Sequence, residues 1–473
     1  MKRWFPTAKH LLFTLALACA LLATGTSALA AEKHVDATRA SIARLRSSMQ
    51  SSDAAYNNEK AIVTFICGPD KYWDFLENIL FSQSTWKTKS TTSAYVCDAR
   101  HMKICQQHRK TYSHLACKSQ SLTDLSQTNV LKTASILEAM SEETATHLLF
   151  LDVDMAFRRD VWVDLEPYML FDLAFSNQGH NDRYLDINIG AVLVRRSLKT
   201  FAFWEKVYDD ILSTGRWDQE LVSELAWRHE SGVTLAVFPQ HVFYAFGFGY
   251  PIKSSNNLFD SATALHAVCM TAKWLLLKEV GFWSDVNGYY SNASTIRLEM
   301  GGHALDAHQV SAFLAASIKV ATECSRKVIL PDHLPVRGQD RLRFYELWDL
   351  RRLADARAPV LEPSFDLHAA RIRGALPAHA HPPRGNHPSH FVLNGKFAEN
   401  PPCFDTSRTW ILTPDVDFLA AIPRAPAELA VDSAKLPLFY CPSEGSRLRI
   451  PCQVAETNFK YCDHQNVTLS FSL

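Results

Sequence analysis

The run Leu148-Leu149-Phe150-Leu151, ending in Asp152-Val153-Asp154, constrains the fold of this chain more than any other segment. Four consecutive apolar residues suit a strand covered on both faces, the usual state of a strand inside a parallel sheet. The run stops in two carboxylates two residues apart. Where a central strand leaves its sheet, two neighbouring oxygens can hold a hard divalent cation beside a diphosphate. Such a cation bridges phosphate oxygens and stabilises charge on a departing diphosphate. The simpler alternative is a pair of carboxylates capping the next helix. A second Asp-x-Asp, Asp415 and Asp417 behind Pro414, has no supporting motif after it and is read as a decoy.

The surrounding pattern is α/β. Ala61–Cys67 is a buried strand broken by Gly68-Pro69, Tyr72–Ser82 has helical apolar spacing, and Ser93–Cys97 is a second strand ending at Asp98. Thr123–Met140 reads as a helix, and the strand ending at Asp152 follows. Phe171–Ser176, the strand after Asp186 and Val233–Phe238 alternate with helices at Phe201–Leu212, Glu220–Trp227 and Met270–Val280. Strand–helix alternation of this kind predicts a sheet covered by helices. A further helix at Gln309–Ala321, a strand at Lys327–Leu330 and a helix at Arg341–Leu353 predict a C-terminal α/β extension over 301–354. Pro, Ala, His and Arg accumulate over 355–390, which reads as a linker or long loop whose histidines are solvated rather than metal-binding. Residues 391–473 form a Cys-containing C-terminal segment.

Chemistry of the termini and of cysteine sets the compartment. Lys2, Arg3 and Lys9 precede an apolar run from Leu11 to Ala23, and small residues end in Ala28-Leu29-Ala30-Ala31. Residues 1–31 therefore read as a signal peptide cleaved after Ala30 or, uncleaved, as a signal anchor. Either places the remainder in the Golgi or endoplasmic reticulum lumen as a type II membrane protein, or outside the cell, with membrane contact only through that segment. Residues 32–60 are polar and small, a stem or loose helix. One of the 11 cysteines, Cys19, lies in the targeting segment, and the even number left permits pairing in an oxidising compartment. No CxxC supports zinc. Asn292 and Asn466 begin N-glycosylation tripeptides. Lys+Arg and Asp+Glu both number 49, which excludes a general nucleic-acid binder.

Several motifs occur in a fixed order: AIVTFIC, AYVCD, VLKTASILEAM, HLLFLDVDM, DINIGAVLVRRS, WDQELVSEL, LHAVCMTAK and GFW. This series, over 61–290 or roughly half the chain, resembles a nucleotide-diphospho-sugar transferase domain, and glycosyltransferase family 77 in particular. The resemblance implies a GT-A type fold, a mixed central sheet flanked by helices. It also implies manganese or magnesium as cofactor, a nucleotide-sugar donor, and a glycan or glycoprotein acceptor. By that resemblance Asp152 contacts ribose or metal, Asp154 binds metal, and His266 completes the coordination from a late loop. Lys273 approaches the diphosphate. Asp98 and Lys132 face the nucleotide, while Asn188 and Gly190 shape the loop beside the sugar. Asp218 and Gln219 surround the transferred sugar and the acceptor, Asp218 being the best carboxylate for a retaining reaction.

Each residue also has a plain structural reading. His266 suits a hydrogen-bonded core histidine, Lys273 and Lys132 suit exposed helix lysines, Asp98 a turn cap, Gly190 an ordinary turn and Asp218 a helix N-cap. Other classes place weight elsewhere. A haloacid-dehalogenase-type phosphatase also follows a strand with Asp-x-Asp, but carries Thr or Val where this chain has Ala156. A secreted carbohydrate-binding protein would need neither His266 nor Lys273, and an inactive relative would not need the acid pair.

Overall fold

The computed structural model describes residues 40–50, 57–121, 128–177, 187–228, 232–247, 261–268, 273–300, 305–336, 339–343, 358–375, 388–403, 405 and 407–421. The targeting segment, residues 1–31, and Cys269, Cys441, Cys452, Cys462 and Asn466 lie outside them. Among the described residues no helix is long and apolar enough to cross a membrane.

The larger sheet is mixed and ten-stranded. It comprises β1 (Asn57–Ile66), β2 (Thr91–Val96), β3 (Leu115–Ser119), β4 (Ala145–Leu151), β5 (Met155–Phe157), β6 (Leu173–Asn177), β7 (Ile187–Arg195), β8 (Leu235–Val237), β9 (Phe243–Gly247) and β10 (Ala264–Val268). Its order is β3-β2-β1-β4-β7-β6-β9-β10-β5, with β8 on β6. β4 carries the apolar run and sits in the middle, parallel to β1 and antiparallel to β7. Leu148, Leu149, Phe150 and Leu151 are accordingly all buried. Helices Thr128–Glu142 and Leu198–Thr214 cover one face, and Lys71–Ser84 and Val161–Leu165 contribute to the clusters on the other. The expected mixed sheet flanked by helices is present.

The smaller sheet reaches well beyond the extension expected over 301–354, drawing strands also from just before it, from the expected linker and from the expected C-terminal segment. β11 (Thr295–Leu298), β12 (Lys327–Ile329), β15 (Val360–Leu361), β16 (Ser389–Leu393) and β17 (Thr409–Pro414) form an all-parallel sheet in the order β15-β12-β11-β17-β16. The helix Ala307–Glu323 packs into its core, opened by a capping box between Asp306 and Gln309. Cys324–Cys403 staples the unit, and Cys67–Cys97 and Cys105–Cys117 staple the larger one.

Two local expectations need correction, and two further segments go beyond the sequence reading. The helix expected over Arg341–Leu353 begins as strand: β14 (Gln339–Arg343) pairs with β13 (His333–Val336), setting Leu342 against Leu334. Residues 344–353 lie outside the described residues. The expected linker over 355–390 contains β15 and the helix Phe365–Ala375, because Leu361, Phe365 and Ala369 bury against the larger unit despite the polar composition around them. The stretch read as a stem or loose helix is helical over 40–50 and buries Ile42 and Met49 in the large core, while β1 starts at Asn57, ahead of the expected Ala61. A helix at Ala99–Thr111 and β3 escaped the sequence reading, since the helix is polar and buries only His101 and Cys105.

Candidate active site

Asp152 and Asp154 lie in the short link between β4 and β5. The Asp152 amide donates to the Gly190 carbonyl at 2.7 Å, which extends the β4–β7 ladder by one bond and fixes where the acid pair begins. β5 then pairs antiparallel with β10, placing Met155 opposite His266. That pairing brings His266 beside the aspartates across more than a hundred residues of sequence. Its Nε2 is 3.2 Å from Asp154 Oδ1 and 3.7 Å from Asp152 Oδ2. One ligand atom from each of the three lies within 4.8 Å of the others.

The other nitrogen of His266 settles which way the ring serves. Nδ1 is 3.1 Å from Asn188 Oδ1. That oxygen also accepts from the Gly190 amide at 2.8 Å, while the single Ser176 hydroxyl proton lies between it, at 3.2 Å, and the Asn188 carbonyl, at 2.8 Å. A backbone N–H can only donate, so the atom is the amide oxygen and His266 Nδ1 carries a proton. In the neutral imidazole Nε2 then presents a lone pair to the aspartates. Asp154 Oδ1 is buried and meets no hydrogen-bond donor. An unpartnered carboxylate oxygen facing an imidazole lone pair is the donor set a divalent cation satisfies, so these residues fit the cofactor expected.

β7 is built around that ring. Phe175 pairs with Val192 whereas Ser176 pairs with Asn188, so Ile189, Gly190 and Ala191 form a bulge facing the site. A Cβ at Gly190 would stand 2.1 Å from His266 Cε1 and 2.4 Å from Nδ1. The glycine is there because an imidazole lies on the backbone.

Two lysines neutralise the acids. Lys132, on the helix Thr128–Glu142, reaches Asp152 Oδ1 at 2.6 Å. Lys273, first residue of the helix Lys273–Glu279, reaches Asp154 Oδ2 at 2.5 Å. Burial alone would raise the Asp154 carboxyl, but the Lys273 ammonium on its other oxygen outweighs it and holds the group well below the usual carboxylate range. Asp218 opens the helix Asp218–Arg228 and is 2 % exposed. Burial pushes its carboxyl up to about 6, against the pull of Lys132 and with a push from Asp152. Asp218 Oδ1 accepts from the Gln219 amide at 2.8 Å, and Gln219 Oε1 from the Ile189 amide at 3.4 Å.

Asp98 makes its contacts within its own helix rather than with these residues. It is the N-cap of Ala99–Thr111, accepting from the His101 amide at 2.8 Å and facing His101 Nδ1 at 2.9 Å. The amide bond and the neighbouring ring hold its carboxyl below the usual range. Cys97, Asp98 and His101 also cluster closely enough to suggest a metal. Cys97 Sγ is bonded to Cys67, however, and His101 Nε2 faces the Gly68 carbonyl at 3.0 Å, so neither is free to be a ligand. The decoy Asp415 caps the helix Val416–Ala421, accepting from the Phe418 amide at 3.1 Å. The sequence reading missed Ser176, whose only signal is its place opposite Asn188 in the neighbouring strand.

Residues 90–277 match the family of nucleotide-diphospho-sugar transferases. This segment is a nucleotide-diphospho-sugar transferase domain. It is thereby a glycosyltransferase domain, and all ten candidate residues fall inside it. The transferase segment begins just before β2 and ends within the helix Lys273–Glu279, leaving the parallel sheet outside the match. Among solved structures the chain is similar to a galactosyltransferase, LgtC, determined with donor and acceptor sugar analogues. The identity is 13%, covering 48% of this chain and 91% of that one, with a TM-score of 0.31. It is also similar to the glycosyltransferase GlyE of Streptococcus pneumoniae TIGR4, at 12% identity over 78% of this chain and 94% of that one, TM-score 0.37. A third similar structure is a glycosyltransferase involved in glycosylation of the major capsid of PBCV-1, at 12% identity over 46% and 95%, TM-score 0.30. No curated protein matches the chain.

Proposed function

We propose that this chain is a metal-dependent glycosyltransferase of the secretory pathway. It moves a sugar from a nucleotide-diphosphate donor to a hydroxyl of a glycoprotein or cell-wall glycan, with retention of anomeric configuration. The observation that carries the reading is the convergence of Asp152, Asp154 and His266, with Asn188 turning the His266 lone pair toward Asp154. These three would hold manganese, or magnesium, and the bound metal would polarise the donor diphosphate as a Lewis acid.

The chain's own residues supply the rest. Lys273 is within reach of the same carboxylate and can transfer its charge to a phosphate oxygen when a donor arrives. Lys132 holds Asp152 in place beside the nucleotide side of the site. Asp218, buried and close in charge to Lys132 and Asp152, is the carboxylate that can steady positive charge at the transferred sugar. Gln219 fixes the bulged β7 backbone next to it. Secretory placement is supported by three disulfides among the described residues, by exposed Asn292 in its acceptor tripeptide, and by the charge and apolar pattern of residues 1–31.

The test is binding and hydrolysis of a panel of nucleotide sugars by the purified protein, with and without manganese. Manganese-dependent release of one nucleoside diphosphate, lost in Asp154→Ala, is the expected result and identifies the donor. No binding of any donor by a folded protein would sink the reading and favour an inactive or carbohydrate-binding relative.

A further inference from the structure

The helix Lys273–Glu279 is short, about 9 Å from end to end at the helical rise. Its first residue serves the acid pair, and its last is gripped by the parallel-sheet unit. Ser364 Oγ donates to the Glu279 carbonyl at 2.8 Å or to its carboxylate at 2.9 Å, and the Ser364 amide donates to that carboxylate at 3.1 Å. His368 Nε2 sits 2.9 Å from the same carbonyl. Just beyond, Gly281 takes a φ of +72°, and a Cβ there would stand 2.5 Å from His368 Cε1. The helix's apolar side points the same way. Leu275 lies in the core of the parallel sheet, and Leu276 and Leu277 pack in a cluster with Leu361, Phe365 and Ala369. Three of the four residues between Lys273 and Lys278 are therefore buried, in cores built wholly or partly by the second unit.

We propose that the Ser364–His368 segment of the C-terminal unit is a positioning device for Lys273, so that capture of the donor diphosphate depends on a part of the chain outside the transferase domain. This rests on the function proposed above. A helix of two turns transmits displacement at one end to the other, since its backbone bonds leave no soft joint between them. Releasing Glu279 lets the helix shift and takes the Lys273 ammonium off its mark. The metal ligands sit on the β4–β5 link and on β10, and the Ser364 and His368 hydrogen bonds go to neither, although Phe365 and Ala369 share an apolar cluster with Leu265 and Ala267 of β10. The device thus acts on diphosphate binding and spares metal binding.

The full-length protein carries the test, with manganese alone and inorganic pyrophosphate plus saturating manganese as the two probes. Ser364→Ala should weaken pyrophosphate about tenfold, the scale of one lost hydrogen bond to a charged group. Its manganese affinity should stay within about twofold, and Ser364→Thr, which keeps the hydroxyl, should restore pyrophosphate binding. In a Lys273→Ala background Ser364→Ala should add nothing, because the group it positions is gone. An unchanged pyrophosphate affinity in Ser364→Ala overturns the device. So does a full, additive loss in the Lys273→Ala background. A Lys273→Ala protein that binds pyrophosphate as tightly as its parent instead overturns the diphosphate site, and the device with it.

Discussion

Asn188 Oδ1 and His266 Nδ1 lie 3.1 Å apart, in a contact that joins the bulge of β7 to β10. The amide oxygen accepts from the Gly190 N–H and so decides the tautomer of a ring whose other nitrogen faces two aspartates. Outer contacts of this kind set metal affinity as firmly as the ligands themselves. Asn188→Ala should weaken manganese about 10–100-fold, read by titration with the metal's paramagnetic signal. Equal affinity in the variant would show that the ring is oriented by packing alone.

The glycine beside this pair makes a sharper expectation. His266 is 4 % exposed, and a Cβ at residue 190 would stand 2.1 Å from its ring, so the ring must leave its place. Gly190→Ala should cost about 1–3 kcal/mol of stability and remove measurable manganese binding. Denaturant melts with and without manganese separate the two effects, because the metal-dependent increment should vanish.

Asp154→Ala removes an orphaned oxygen and the partner of Lys273. Turnover that depends on metal should disappear while the far-ultraviolet spectrum stays unchanged. Retained turnover would move the chemistry elsewhere.

Asp415→Ala tests the other acid pair. Loss of the cap should cost about 1 kcal/mol of stability and leave turnover intact. A folded, inactive variant would reverse the choice between the two motifs.

Glu279 gives a pH signature. Burial, opposed by the Ser364 hydrogen bonds and aided by Glu362 and Asp332, raises its carboxyl to about 7. The unfolded chain releases this proton nearer the ordinary glutamate value of 4.5, so the native state holds the extra proton between those values and loses relative stability as pH rises through them. Glu279→Gln should therefore gain on its parent from pH 5 to pH 8, by about 1–2 kcal/mol once solvent screening is allowed for. Parallel stability curves would mean that the carboxylate ionises freely in the fold.

Much of the large unit is legible in sequence because β1, β4 and β7 are apolar on both faces, which only an interior strand tolerates. The acid pair shows for the same reason, as an abrupt polar end to such a strand. The partnership of Asn188 with His266 does not show, since it depends on a bulge that shifts the β6–β7 register and on a strand pairing over a long loop. Asn188 and Gly190 read as a sugar-side loop, and their observed contacts are with the histidine. The second unit was harder still. Phe365 and Ala369 are buried in a stretch whose Pro and His content mimics a linker, and the partner that buries them is a helix nearly ninety residues earlier. Composition reports on solvation of a segment alone, and here the neighbour supplies the apolar surface.

The three-residue β5 carries a consequence for how the molecule comes to be. A nascent chain that has emerged to residue 260 already contains both aspartates, Lys132 and Asn188, yet lacks the strand that answers β5. Closing so distant a contact is slow relative to forming the local strands and helices around it. The metal centre is born with that closure, so manganese uptake during synthesis or refolding would time the moment at which the far edge of the sheet locks.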